Sequence, residues 1–348
     1  MLAVAIAAGA GVAIFARVRS DSEVSRENAA AAFENGPPTL LYADFNEAQD
    51  LRRLDLSTGR EEEAGLVPHS GNTTAAPGSN WLAVEAPLEA PDGGRVPAVH
   101  LYDPETKQEL TLSPALSPRW SPDGGLVAWL QPADSSDCGG SSCRGPKTLV
   151  VTVPDMERTD VLTAPGRFGL LGWAGDHVIF EEEEPFGPPV LRSVSLDGAT
   201  QDLPLRPKEF WGGSPDGRYI VASGESGTRF IRMQDGQLSA GGPEIGISPG
   251  TMLGAGAWSH DSGKVAAFAL TEENLDLVAF SPTDPEPRVL VGGGRASTGA
   301  VLWGPANDQL IFQRFTGTEL EAVHCVLDED GCDVRLAWTR GIGLLRIE

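Results

Sequence analysis

Positive charge is scarce in this sequence. Its 348 residues carry 26 Lys and Arg against 49 Asp and Glu, a net charge of −23. So acidic a chain has no electrostatic footprint for nucleic acid and is repelled by anionic lipid surfaces. Long apolar runs are missing as well. Leu2–Ala16 (LAVAIAAGAGVAIFA) is uncharged but falls short of the ~20 residues that a spanning helix needs. The motifs of common chemistries are absent too. The five histidines (His69, His100, His177, His260 and His324) are scattered along the chain, and none opens an H-E-x-x-H pattern. No glycine-rich phosphate loop leads into a helical pattern. GESGT (224–228) sets a serine among glycines without the G-x-S-x-G spacing of a nucleophile elbow. These absences argue against an enzyme, and no residue is assigned a catalytic, cofactor-binding or metal-ligating role.

What is present is a repeat. RWSPDGGLVAWL (119–130) joins a tight-turn tetrapeptide to an apolar run. Pro122 fixes φ, Asp123 can bond its own backbone, and Gly124 permits positive φ. Related stretches follow at 78–86, 173–182, 213–223, 258–268 and 303–313. The first apolar residue after each turn is Leu82, Leu126, Val178, Tyr219, Val265 or Leu310, giving spacings of 44, 52, 41, 46 and 45 residues. The turn positions include Asp123, Gly124, Asp176, Asp216, Gly217, Asp261, Gly263 and Asp308. Such a period, with short strands and no helical pattern, is the signature of β-propeller blades. The expected fold is all-β, with four-stranded antiparallel blades that are stable only when packed between neighbours.

LLYADF (40–45) and DLRRLDLSTG (50–59) fit the second and third strands of an N-terminal blade that has no turn motif ahead of it. GIGLLRIE (341–348) lies where a first strand is due. The C-terminal strand is therefore expected to complete the N-terminal blade and close the ring, leaving no open edge. That makes seven blades, with six or eight remaining open because short strands are easily miscounted.

Trp120, Trp173, Trp258 and Trp303 each come just before a turn. They could line one mouth of the channel, but a repeated large aromatic is what blade stacking uses, and packing between blades is the expectation. In the run Glu181–Glu184, alternate side chains point to opposite faces, so two could meet a cation at a rim; a solvated strand end is the simpler reading. Two segments interrupt the repeat. PADSSDCGGSSCRGPK (132–147) falls between the second and third strands of its blade, and GGPEIGISPGTMLGAG (241–256) precedes the next turn. Loops on a rigid scaffold carry binding specificity, so both are candidate contact surfaces.

The turn motifs resemble the TolB-like family of propellers (the WD40-like PD repeat). WSPDGGLVAW (120–129) matches its repeat nearly throughout, GGSPDGRYIVA (212–222) and AWSHDSGKVAAF (257–268) match most of it, and the copies at 173 and 303 keep the Trp but degrade the turn. The resemblance covers residues 40–348. It implies propeller architecture and is nearly silent on activity, since members serve as scaffolds, receptors and accessory domains of peptidases. The sialidase-type Asp box fails, because Val127 and Ala128 stand where it needs Thr and Trp. A peptidase of the prolyl-oligopeptidase type would also need a further α/β domain.

Residues 1–19 read as an apolar helix serving as a membrane anchor or signal segment, and 20–38 as a polar linker ending in Gly-Pro-Pro. Arg17 and Arg19 would by themselves hold the following domain in the cytoplasm. The four cysteines argue otherwise. Cys138 with Cys143, and Cys325 with Cys332, flank turn-rich segments, and an even count in close pairs suits disulfides in an oxidising compartment. The expectation is a propeller of residues 39–348, membrane-anchored outside the cytoplasm (periplasmic or extracellular), or secreted if the leader is cleaved. Its expected role is a non-enzymatic platform for protein partners of a cell-envelope complex, without cofactor. The alternative is a carbohydrate- or peptide-binding, hydrolase-like propeller with an acidic pocket.

Overall fold

Val127, Ala128, Trp129 and Leu130 are all buried, and the pleat sends them alternately to two sides. Ala128 and Leu130 pack towards the following sheet, while Val127 and Trp129 pack towards the preceding one. A strand covered on both faces needs a continuous apolar run instead of a polar alternation, which is why LVAW lacks a polar position. Seven hydrophobic clusters arise this way, one at each junction between neighbouring sheets.

The computed structural model describes residues 38–347 apart from 45–49, 68, 70, 90–92, 135–137, 140–141, 144, 153–157, 185, 225–226, 235–236, 240–241, 248–250, 271–274, 295–299, 316–319, 328–331 and 339–341. The chain forms a seven-bladed antiparallel propeller. Blade 1 combines Thr39–Asp44, Asp50–Asp55 and Glu61–Leu66 with Ile342–Ile347. Blades 2 to 7 follow in order, their first strands being Asn72–Ala75, Leu116–Trp120, Phe168–Ala174, Phe210–Gly213, Met252–Trp258 and Val301–Trp303. From blade 3 to blade 7 these first strands touch their neighbours around the axis, Leu116–Trp120 touches the second strand of blade 2, and Ile342–Ile347 touches both Val301–Trp303 and Asn72–Ala75. It pairs along Thr39–Asp44, from Leu40 opposite Ile347 to Asp44 opposite Ile342. The two ends of the described chain are thus joined by backbone hydrogen bonds.

Among the described residues the only helical turn is the 3₁₀ turn Pro207–Glu209, and no helix is long and apolar enough to cross a membrane. The expected N-terminal helix, anchor and linker lie outside the described residues.

One of the two expected insertions is corrected. Glu244–Ile245 adds a fifth strand to blade 5 beside Thr228 and Arg229, and Met252–Trp258 is the first strand of blade 6. Its glycines hid a strand, and one of them, Gly256, is required by close packing. A Cβ on Gly256 would stand 2.4 Å from the Ala266 carbonyl oxygen and 2.6 Å from the Trp211 ring. The other segment does lie between the second and third strands of blade 3, where Cys138–Gly139 and Ser142–Cys143 form a small hairpin of their own.

Candidate functional site

Antiparallel strands put the first-to-second and third-to-fourth connections of every blade at one end of the ring. The second-to-third connections and the crossovers between blades fall at the other end. The two ends differ in construction.

The first end is built from the turn motifs. In blade 3 the Ser121 hydroxyl donates to Asp123 at 2.6 Å and accepts the Leu126 amide at 2.9 Å, while Asp123 accepts the Gly125 amide at 3.1 Å. Ser214 with Asp216, and Ser259 with Asp261, repeat the arrangement in blades 5 and 6. The Gly263 amide completes the Asp261 turn. Burial opposes ionisation of Asp261, but the bonds from Ser259 and Gly263 outweigh it and hold the carboxyl below its usual range.

Turns also clasp their neighbours. The Asp216 amide donates to the Ser262 hydroxyl at 2.9 Å, the His260 amide to Asn307 at 2.7 Å, and the Gly175 amide to the Ser214 carbonyl at 3.1 Å. Gly217 packs on Gly175 with no room for a side chain. Asp176 instead pairs with the ring of His177 at 2.9 Å. Asp308 keeps one carboxylate oxygen buried without a hydrogen bond, while its carbonyl accepts the Leu327 amide.

The tryptophans lie between blades. The indole N–H of Trp120 donates to the Thr74 carbonyl, that of Trp173 to Arg119 and that of Trp303 to Ala257, each on the preceding blade. Trp258 packs beside Phe230 and leaves its buried N–H unpartnered. Trp211 reaches forward to the Gly254 carbonyl.

The opposite end carries the irregular loops. The Leu88–Glu89 and Arg95–Val96 hairpin rises from blade 2, and the Cys138–Cys143 hairpin from blade 3. The sulfurs of Cys138 and Cys143 stand 1.89 Å apart, at disulfide distance. Those of Cys325 and Cys332 are 1.94 Å apart and join the last two strands of blade 7 at the other end, the one that carries the turns. Phe186, in the connection after Glu182, is fully exposed, and Leu66 and Leu270 are exposed where their strands reach this end. Val289 is the one other large apolar side chain exposed among the described residues, and it lies towards the opposite end.

Three of the four glutamates in the run are taken up by arginines. Arg192 sits against Glu182 and Glu184 and also against Asp202, so one guanidinium takes both same-face glutamates. Glu183 faces Arg167 at 3.4 Å. Gly246-Ile247-Ser248-Pro249-Gly250 does spell G-x-S-x-G, which the sequence reading overlooked. It connects the strand Glu244–Ile245 to the strand Met252–Trp258, so it lacks the helix that a nucleophile elbow requires.

The histidines are not all scattered. His100 in the strand Val99–Tyr102 lies opposite Thr111, and Glu109 stands two residues from Thr111 on the same face. Val99, Leu101, Leu110 and Leu112 pack towards blade 3, so His100 and Glu109 face blade 1. His69, on the crossover from blade 1 to blade 2, stacks its ring on His100 with centroids 3.5 Å apart. Glu109 Oε1 is 2.8 Å from His69 Nε2 and 3.2 Å from His100 Nδ1. Burial pushes the His100 imidazole below its usual value, and the adjacent His69 acts the same way. The bond from His69 holds the Glu109 carboxyl low despite some desolvation. Of the other three histidines, His177 pairs with Asp176, while His260 and His324 bond to the Trp303 carbonyl and to Gln309.

No family model and no curated protein matches the chain. Solved structures do. TolB from Acinetobacter baumannii superposes with a TM-score of 0.51 at 12% identity, over 89% of this chain and 66% of that one. The β-propeller domain of the Trilobed protease from Pyrococcus furiosus, which has an open velcro topology, gives 0.59 at 14%, over 86% and 95%. An acylaminoacyl peptidase from Pyrococcus horikoshii gives 0.56 at 14%, over 86% of this chain and 50% of the peptidase. The chain therefore spans 66% of the TolB chain and half of that peptidase. At these identities the likeness is one of fold.

Proposed function

We propose that the chain is a non-enzymatic interaction platform, held at a membrane by residues 1–19 with its propeller outside the cytoplasm, and serving a cell-envelope complex. The supporting observation is the unlike construction of the two ends. One end is closed into turns bonded to each other, while the other presents hairpins, a cysteine pair at disulfide distance and exposed Phe186. A rigid ring with irregular loops at one end suits the binding of a protein partner. Cysteine pairing favours an oxidising compartment. The hydrolase-like alternative needs an acidic pocket, and in its best sequence candidate, Glu181–Glu184, three of the four carboxylates are taken up by Arg192 and Arg167.

Anchoring would raise the concentration of propeller at its partner without adding a contact. Replacing residues 1–19 with a cleavable signal peptide should therefore give folded, soluble propeller that no longer supports the complex in a deletion strain. Full rescue by that soluble form would discard the tethered platform and favour the hydrolase-like alternative.

A further inference from the structure

We propose that His69, His100 and Glu109 form a binding site for one zinc-type divalent transition-metal ion, with a remaining coordination position open to solvent. One atom from each residue, two imidazole nitrogens and a carboxylate oxygen, falls within 4.8 Å of the other two. Ligands on a tetrahedral ion with bonds of about 2.1 Å stand roughly 3.4 Å apart, so the observed 2.8 and 3.2 Å to Glu109 need open only slightly.

The tautomers of His100 give a second reason. Its side chain is 1% exposed. With the proton on Nδ1, Glu109 is satisfied but Nε2 keeps a lone pair buried without a donor. With the proton on Nε2, that N–H is buried without an acceptor. Nδ1 then turns its lone pair towards the Glu109 oxygen, and only the Thr111 hydroxyl at 3.1 Å can donate to it. A cation between Nδ1 and the carboxylate removes the conflict at Nδ1, where two acceptors otherwise face each other.

Two imidazoles with one carboxylate select zinc-like ions over calcium or magnesium, which prefer all-oxygen shells. Three protein ligands leave a fourth position, and His69 and Glu109 are 30% and 36% exposed, so water can enter there. The ion would clip the crossover from blade 1 onto the outer strands of blade 2.

The test titrates zinc chloride into the full-length, chelator-stripped protein by calorimetry, without reductant, followed by zinc-edge X-ray absorption. One strong site per chain is expected, with a nitrogen/oxygen shell near 2.0–2.1 Å and no displacement by millimolar calcium or magnesium. His100 is buried and its loss could unfold the blade, so the variants are His69→Ala and Glu109→Gln, on the partly exposed side of the cluster. Each should melt like the wild type without metal, bind zinc at least about tenfold more weakly, and lose the zinc-induced rise in melting temperature. Folded wild type that takes up no zinc overturns the proposal. So does zinc bound with undiminished affinity by either variant, which would assign it to the acidic surface.

Discussion

Gly124 shows how much of the ring rests on single backbone positions. Its φ is +68°, and a Cβ there would stand 1.9 Å from the Pro77 carbonyl oxygen of the neighbouring blade. The residue therefore serves two needs, a left-handed turn and a close approach between blades. Gly59 separates them, because its φ is +71° but nothing lies within 4 Å of an added Cβ. Gly59→Ala should cost only the left-handed penalty of about 1–2 kcal/mol. Gly124→Ala should cost roughly 3 kcal/mol or more, since backbone must also move. Chemical denaturation of both variants measures the difference. Equal losses would show that the turn ends of blades 2 and 3 are not in the contact described.

At the scale of the strand, the element on which most depends is Ile342–Ile347. Leu344 and Ile347 pack with Leu40, Tyr42 and Ile311, while Leu345 packs with Leu41 and Leu82. One strand thus contributes to two of the seven junctions and also satisfies the edge of Thr39–Asp44. Deleting residues 342–348 would bare that edge and open both junctions. The expected result is a melting temperature lower by roughly 10 °C or more, with concentration-dependent aggregation in light scattering. A truncated chain that melts like the intact one would show the strand to be dispensable.

The same strand scale explains what could be read in advance. Turn tetrapeptides and continuous apolar runs are local, and their spacing repeats, so the blades are legible without coordinates. His69, His100 and Glu109 are not. His100 and Glu109 are brought together by the register that sets His100 opposite Thr111, and His69 arrives on a crossover between blades. The one local hint is a histidine alternating with Val99 and Leu101, on the side of the strand opposite to theirs. Glycines misled in the other direction, since 252–256 reads as loop and folds as most of the strand Met252–Trp258.

Viewed as a whole, the propeller is a ring whose two ends have different freedom to vary. At the end that carries the turns, those of blades 3, 5 and 6 are bonded internally through a serine and an aspartate, and those of blades 4 to 7 are bonded to one another, so these polar groups are committed to the ring itself. At the loop end, hairpins and connections leave the blades without altering the seven junctions, and three of the four exposed large apolar side chains among the described residues lie there, on blades 1, 4 and 6. Under the platform reading a partner should meet the loop end. Phe186 and Arg218 test this, because both side chains are well exposed and they stand at opposite ends. A photo-crosslinking amino acid placed at position 186 or at position 218 perturbs no junction, as neither side chain packs in one. In cells, illumination should join position 186 to a discrete protein partner and leave position 218 unlinked. Crosslinks at 218 alone would reverse the assignment and make the ring of turns the contact surface. Discrete crosslinks at both positions would mean that the partner encloses the ring, which the loop-end platform does not allow.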